Sequence, residues 1–436
     1  MSFVSTHPVT FAFAIESNFA EAPGYVLASA DGGTAPAWAS ADGTTAFRHE
    51  VISADPSFLK RSSIADPSLN RRMFQTKKSI VGLRSTDGGS LQITFCGAEA
   101  ETSAASQVSA TGLSRLLAHA LGGQHRGNTT AVAAAPSSDV SFDIDAATNI
   151  EAGCTIAIAD AGDTERLFPV QVLTVSGTSI TTDCDLPFAA AIAEDDEVHA
   201  CITSYPDADN LNDTSDANHS LSLLYVVGGK VWEGVGCKLQ LSSIEFARND
   251  VPKLNFDIFA AASFADGDAD CPSEPTFTGT VQGGPGLAIG ADTKLHIQTN
   301  GTTTLALKDC TSATLTVGVP AVPFDTMTQS NGAAQGRSGY LTKPEDTMFE
   351  VTVPFSNSYE AAFEAGTEYV LRYMQVASPG NGWAVTLPRC VLAEAPAKSE
   401  ANEAVMTTLK FRALENDIAS GDTENLYKAK FLISQF

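Results

Sequence analysis

The sequence predicts a mainly β protein: two tandem units, each with one flanking α-helix, and a small β domain inserted in the first. Three observations predict it. Short segments alternate apolar and polar residues between Gly, Pro, Asp and Asn, the mark of strands with one buried face. One order of such segments comes twice, at 77–122 continued by 231–259, and again at 336–412. A further strand cluster between about 129 and 204 has no counterpart in the second half.

In the first unit the order opens with Lys77-Lys-Ser-Ile-Val-Gly-Leu83 and the alternating strand Ser90-Leu-Gln-Ile-Thr-Phe95. A helix follows over 111–122. Leu113, Leu116, Leu117 and Leu121 share one of its faces, Ser109 or Thr111 caps its start, and Gly122-Gly123 stop it. Strands at 236–246 and 253–259 close the unit. The second unit repeats this with Gly336-Arg-Ser-Gly-Tyr-Leu341, Met348-Phe-Glu-Val-Thr-Val353, a helix over 358–373, and strands at 383–392 and 406–412. The stripe of that helix is Tyr359, Ala362, Phe363, Val370 and Tyr373, after Asn357 or Ser356. Gly366 weakens it by roughly 1 kcal/mol relative to alanine, so it kinks or ends there.

The inserted cluster contains Gly153-Cys-Thr-Ile-Ala-Ile-Ala, a long strand from Arg166, and Glu197-Val-His-Ala-Cys-Ile202; it has the look of a compact barrel set into a loop. Loop-closure entropy grows slowly with length, so such insertions are tolerated. The expected boundaries are 1–128 with 205–268 for the first unit, 129–204 for the insertion and 277–436 for the second unit. Ala265-Asp-Gly-Asp-Ala-Asp-Cys-Pro reads as the linker between units.

Bulk composition narrows the function. With 43% hydrophobic and 18% charged residues the chain is globular rather than disordered. Its 51 acidic against 26 basic residues give a formal net charge of −25. Such a surface repels free nucleic acid and anionic membranes, which argues against a duplex reader or a membrane-surface protein. No stretch reaches the roughly 20 apolar residues of a membrane span. The N-terminus has no basic start before a long apolar run and reads as mature sequence. The eight cysteines form no CxxC pair and read as buried reduced thiols of a protein made in the cytoplasm.

No catalytic, metal or cofactor signature is found in the sequence. There is no Walker loop, GxSxG or HExxH, and Gly336-Arg-Ser-Gly is too short for a nucleophile elbow. Asp207, Asp209, Asp213 and Asp216 lack the spaced Gly and terminal Glu of a calcium loop. One stretch opposes the global charge. Between Arg48 and Arg84 lie Lys60, Arg61, Arg71, Arg72, Lys77 and Lys78, interleaved with Phe58, Leu59, Ile64, Leu69, Met73 and Phe74. Basic residues with apolar anchors suit docking on an acidic neighbour. The candidate contact residues are Phe58, Lys60, Arg61, Arg71, Arg72 and Phe74.

The stretch Leu223-Leu-Tyr-Val-Val-Gly-Gly-Lys-Val-Trp-Glu-Gly-Val-Gly-Cys-Lys-Leu-Gln-Leu-Ser-Ser-Ile-Glu-Phe246, followed by Lys253-Leu-Asn-Phe-Asp-Ile-Phe259, resembles the core of tail tube proteins of long-tailed bacteriophages. So do the opening Phe11-Ala-Phe-Ala-Ile-Glu-Ser-Asn-Phe-Ala-Glu-Ala-Pro23, the helix ending Leu117-Ala-His-Ala-Leu-Gly122 and the closing Lys410-Phe-Arg-Ala-Leu-Glu-Asn-Asp417. The resemblance implies a β-sandwich or half-barrel with a flanking helix. It implies subunits joined edge to edge in rings that stack into a tube through which viral DNA passes. A duplicated subunit implies a threefold, pseudo-sixfold ring in preference to a hexamer. It also implies an acidic lumen, ring stacking through the 48–84 loop, the insertion on the outer wall, and a place in the virion. The implied partners are other copies of the chain, the tape measure, the tail terminator and the distal tail protein. Two other classes stay open. One is another virion or surface-layer structural protein; the other is a carbohydrate-binding or carbohydrate-active β protein using Trp38, Trp232 and Trp383.

Overall fold

The computed structural model of the chain describes residues 10–15, 47–49, 51–55, 63–65, 79–81, 88–97, 112–134, 138, 140–160, 163–186, 192–207, 210–211, 220–227, 230–265, 288–290, 292–325, 337–343, 345–378, 380–401, 404–416 and 425–436. Among these the protein is mainly β, with short helices Gly112–Leu121, Ser358–Glu364 and Asn425–Lys428.

Nineteen strands join by antiparallel pairing into one system. Its spine runs Val51–Asp55, Ser90–Thr94, Lys253–Phe259 and Lys230–Ala247. It continues with Ser312–Thr316, Met348–Pro354, Ala404–Ala413 and, at the far side, Trp383–Leu392 with Ala397–Ala401. In both halves the first two strands are joined through a two-stranded excursion. It is Ser63–Ala65 with Ser79–Val81 in one half and Ala321–Asp325 with Arg337–Thr342 in the other.

Alternation dictates which face is buried. Leu91 and Ile93, Leu254, Phe256 and Ile258, Phe349, Val351 and Val353, and Leu409 and Phe411 all point to the core and are essentially out of solvent. The long strand Lys230–Ala247 serves two layers. Its second half lies in the spine; its first half is flanked by Leu221–Val227 and Ala262–Ala265. Gly236, at φ +60, lies between the two halves, a conformation that favours glycine. Thr10–Ile15 pairs with Leu221–Val227, and Phe47–His49 pairs with Thr10–Ile15. On the other side, Trp383–Leu392 is flanked by Glu368–Gln375 and Leu432–Gln435, with Thr293–Thr299 and then Leu307–Lys308 beyond. Trp232 thus lies between Tyr225 and Ala265, and Trp383 between Gln375 and Gln435.

Helix Gly112–Leu121 buries Leu113, Leu116, Leu117 and Leu121, as its stripe requires. The second helix ends at Glu364, beside Gly366 where a kink or end is expected, but the expected continuation to 373 is instead part of a strand, Glu368–Gln375. Gly366 takes φ +62, Gly366 N–H donates to Phe363 O, and Thr367 N–H donates to Ala362 O, a glycine-closed helix end. Beyond it, strand pairing on both sides and burial of Val370, Leu371 and Tyr373 outweigh the helical spacing.

Residues 130–200 form a separate six-stranded sheet in the order Thr130–Ala131, Glu197–Ala200, Thr155–Asp160, Asp163–Ser176, Ser179–Thr182, Ser141–Asp143. Its ends meet. Val132 and Ile144 form a bridge, Ala133 N–H donates to Asp143 O, and Asp145 N–H donates to Ala131 O, so the sheet closes on itself. Its core of Ile156, Ile158, Val170, Val172 and Val198 continues into Met374, Ala384, Leu432 and Phe436. The C-terminal strand Leu432–Gln435 fastens this contact, pairing with Ile202–Pro206 on one side and Trp383–Leu392 on the other.

Candidate functional site: an open-edged sheet with a polar face

The two halves of the spine meet at one seam. Ser243–Ala247 pairs antiparallel with Ser312–Thr316, placing Ile244 opposite Leu315 and Phe246 opposite Ala313. All four side chains are buried, and the core runs through the seam without a break. Burying a side chain such as Ile244 or Leu315 contributes about 1.5–3 kcal/mol. Aromatic contacts reinforce it. Trp383 lies 5.1 Å from Phe95 and 5.1 Å from Phe246, and Tyr373 lies 4.7 Å from Phe246, between ring centroids. Among the described residues, Val51–Asp55 pairs only with Ser90–Thr94, and Ala397–Ala401 only with Ala404–Ala413.

The face turned away from the core is polar. In the first half Gln92 Nε2 donates to Asn255 Oδ1 at 2.8 Å; Asn255 Nδ2 donates to Ser243 Oγ at 3.0 Å and Glu245 Oε1 at 2.9 Å. In the second half Lys410 bridges Glu350 at 3.5 Å and Glu394 at 3.2 Å. Ser312, Thr352 and Thr408 link their hydroxyls across three strands, at 3.3 and 3.2 Å. Bonds to Glu394, then the charges of Glu350 and Glu394, raise the Lys410 ammonium above its ordinary pKa. Acidic side chains on this face (Glu245, Asp257, Glu350, Glu394) outnumber basic ones (Lys253, Lys410, Arg412). Most remaining positions are Ser, Thr, Asn or Gln.

The closed sheet is held to the second half by a buried charge. Arg372 is 0% exposed; its guanidinium meets the Asp183 carboxylate, bonds Thr386 Oγ1 at 3.2 Å and approaches Cys184 Sγ at 3.5 Å. Gln298 Nε2 donates to Asp183 O at 3.1 Å. Burial opposes the charge on Arg372, but Asp183 and Cys184 outweigh it, so its pKa is raised. Beside it, burial and then the Arg372 charge push the His296 pKa down to about 4.

The six contact residues expected from the basic stretch, Phe58, Lys60, Arg61, Arg71, Arg72 and Phe74, lie outside the described residues, as do Trp38, Asp209, Asp213 and Asp216. Asp207 is buried and accepts from Asn425 Nδ2 at 3.1 Å. It borders a cavity of about 250 Å³ with Thr347, Glu415, Lys428 and Lys430. Cys154, Cys184, Cys201, Cys237 and Cys390 are buried; Cys96 and Cys310 are half-buried. Burial pushes the Cys154 and Cys184 thiols up to about 12, where they are inert at neutral pH. Among the described residues no His, Cys, Asp and Glu group is arranged to hold a metal ion, and no helix is long and apolar enough to cross a membrane. Sequence reasoning missed Arg372, which fell within the expected helix, and the single-partner strands at the two ends of the described spine, which only strand pairing reveals.

No protein-family model matches the chain, and no curated protein is similar to it in sequence.

Proposed function

We propose that the chain is a structural subunit of a phage tail tube, polymerising as rings that stack around a channel for viral DNA. One observation carries this reading: two sets of strands join edge to edge, and among the described residues the strands at the two ends of the run, Val51–Asp55 and Ala397–Ala401, each pair on one side only. Open edges invite pairing with another chain, and closing a ring removes them. The pairing order of the first half recurs in the second, including the excursion, the flanking helix and the tryptophan at the same pairing position. That recurrence supports a tandem repeat of two β-sandwich-like units, one subunit filling two places of a threefold, pseudo-sixfold ring. The polar face lines the lumen. Its cations are paired with carboxylates, Lys410 with Glu350 and Glu394, Lys253 with Asp250 and Arg412 with Asp346, so the face offers DNA phosphates little net attraction.

In this reading the 48–84 stretch reaches the next ring, with Lys60, Arg61, Arg71 and Arg72 meeting acidic residues there. The closed sheet at 130–200 lies on the outer wall. The subunit works in the virion, without catalysis, metal or cofactor, and meets tape measure, terminator and distal tail proteins at the ends and inside of the tube. Light scattering on the purified chain across concentration tests self-assembly. Masses of three copies and multiples of three are expected; a monomer at every concentration and salt contradicts the proposal.

A further inference from the structure

The seam inside the chain gives the register of the seam between chains. We infer that Ala397–Ala401 of one copy runs antiparallel beside Val51–Asp55 of the next with Ala397 opposite Ser53, so that 397–399 lie against 51–53. This rests on the self-assembly reading above and adds which edges meet and in what register.

The register follows by position. Phe256 pairs with Leu91, and Phe411 with Phe349, both pairs buried in the core. Three residues before each phenylalanine stand Lys253 and Thr408. Lys253 faces Glu245 and Thr408 faces Ala397, so Ala397 holds the place of Glu245. One residue after Leu91 and Phe349 stand Gln92 and Glu350. Gln92 faces Ser53 and Glu350 faces Thr314, so Ser53 holds the place of Thr314. Within the chain Glu245 faces Thr314. Between copies Ala397 therefore faces Ser53.

The two seams differ in strength. Val317 N–H donates to Ser242 O at 3.0 Å, so by antiparallel alternation Ile244 and Phe246 are the next hydrogen-bonded positions, with Glu245–Thr314 a non-bonded pair between them. The residue in the place of Ile244 is Pro396, which has no N–H to give. Its strand is also split, Trp383–Leu392 and Ala397–Ala401, where Lys230–Ala247 is continuous. The seam between copies lacks a bond that the inner seam has, so assemblies come apart between chains before the chains unfold.

The test is a cysteine pair in the full chain, Ser53→Cys with Ala397→Cys, allowed to assemble and then mildly oxidised. Opposite residues of a non-bonded antiparallel pair stand at disulfide distance. A covalent ladder on a non-reducing gel is expected for this pair. None is expected for either single variant, the wild type, or the shifted pair Ser53→Cys with Glu400→Cys. Amide exchange of the wild type gives an independent readout: slowing at 51–55 and 397–401 on assembly is expected. Rings in micrographs with no ladder and unprotected amides would overturn this seam and leave the ring reading standing. An equal ladder from the shifted pair would overturn the register. A chain that neither assembles nor cross-links at any concentration overturns both.

Discussion

Arg372 and Asp183, 189 positions apart in sequence, form an ion pair with both side chains buried. Asp183 follows the Ser179–Thr182 strand of the closed sheet, and Arg372 sits at the centre of Glu368–Gln375. The pair fixes how the closed sheet docks on the second half. Removing one partner strands the other charge, so Asp183→Asn or Arg372→Met alone should destabilise the chain by about 3–5 kcal/mol. The double variant should recover most of that loss. Denaturant melts of the three variants provide the check.

Acid should act through His296. Its pKa is lowered to about 4 in the fold against 6.5 when unfolded, so between those values the unfolded chain binds more protons. Stability is therefore intact above pH 6.5 and falls as pH drops toward 4, by about 3 kcal/mol in total. The ring's Nδ1 accepts from Ala306 N–H at 3.1 Å, and protonation removes that acceptor as well. His296→Gln should flatten the pH profile of the thermal midpoint between 6.5 and 4.5; an unchanged slope would rule the residue out as its source.

The polar face should become sticky to DNA if made basic. Ser90 and Thr316 are exposed on it. Ser90→Lys with Thr316→Lys should retard duplex DNA in a gel at low salt, with the effect lost as salt rises. The wild type should leave the DNA free. No retardation by assembled variant would mean that this face does not line the channel.

Ring stacking should depend on the basic stretch. Arg71→Glu with Arg72→Glu should shorten or abolish tubes while rings still form and melt at the wild-type temperature. Tube lengths measured from micrographs at matched concentration would report it, and unaltered lengths would dismiss the assignment.

Much of the fold was legible because strand alternation is local. Leu91-Gln-Ile-Thr-Phe95 and Phe349-Glu-Val-Thr-Val353 name their own buried faces. The helix at 112–121 was legible from its four leucines and its glycine stop. The helix at 358–364 and its end near Gly366 were legible too, but the strand beyond was not, because Val370 and Tyr373 at helical spacing also fit a strand; tertiary pairing with Thr293–Thr299 and Trp383–Leu392 decided it. The buried Arg372 was hidden for the same reason. Which strands pair on one side only, among the described residues, depends on partners far apart in sequence, and no local pattern carries that. The residues proposed to bridge rings were chosen on charge and apolar interleaving alone.

Electron micrographs of the purified full chain decide between an assembling subunit and a monomer. Rings with a central hole are expected, threefold on averaging with six similar lobes, stacking into tubes. Discrete monomers at all protein and salt concentrations would contradict it.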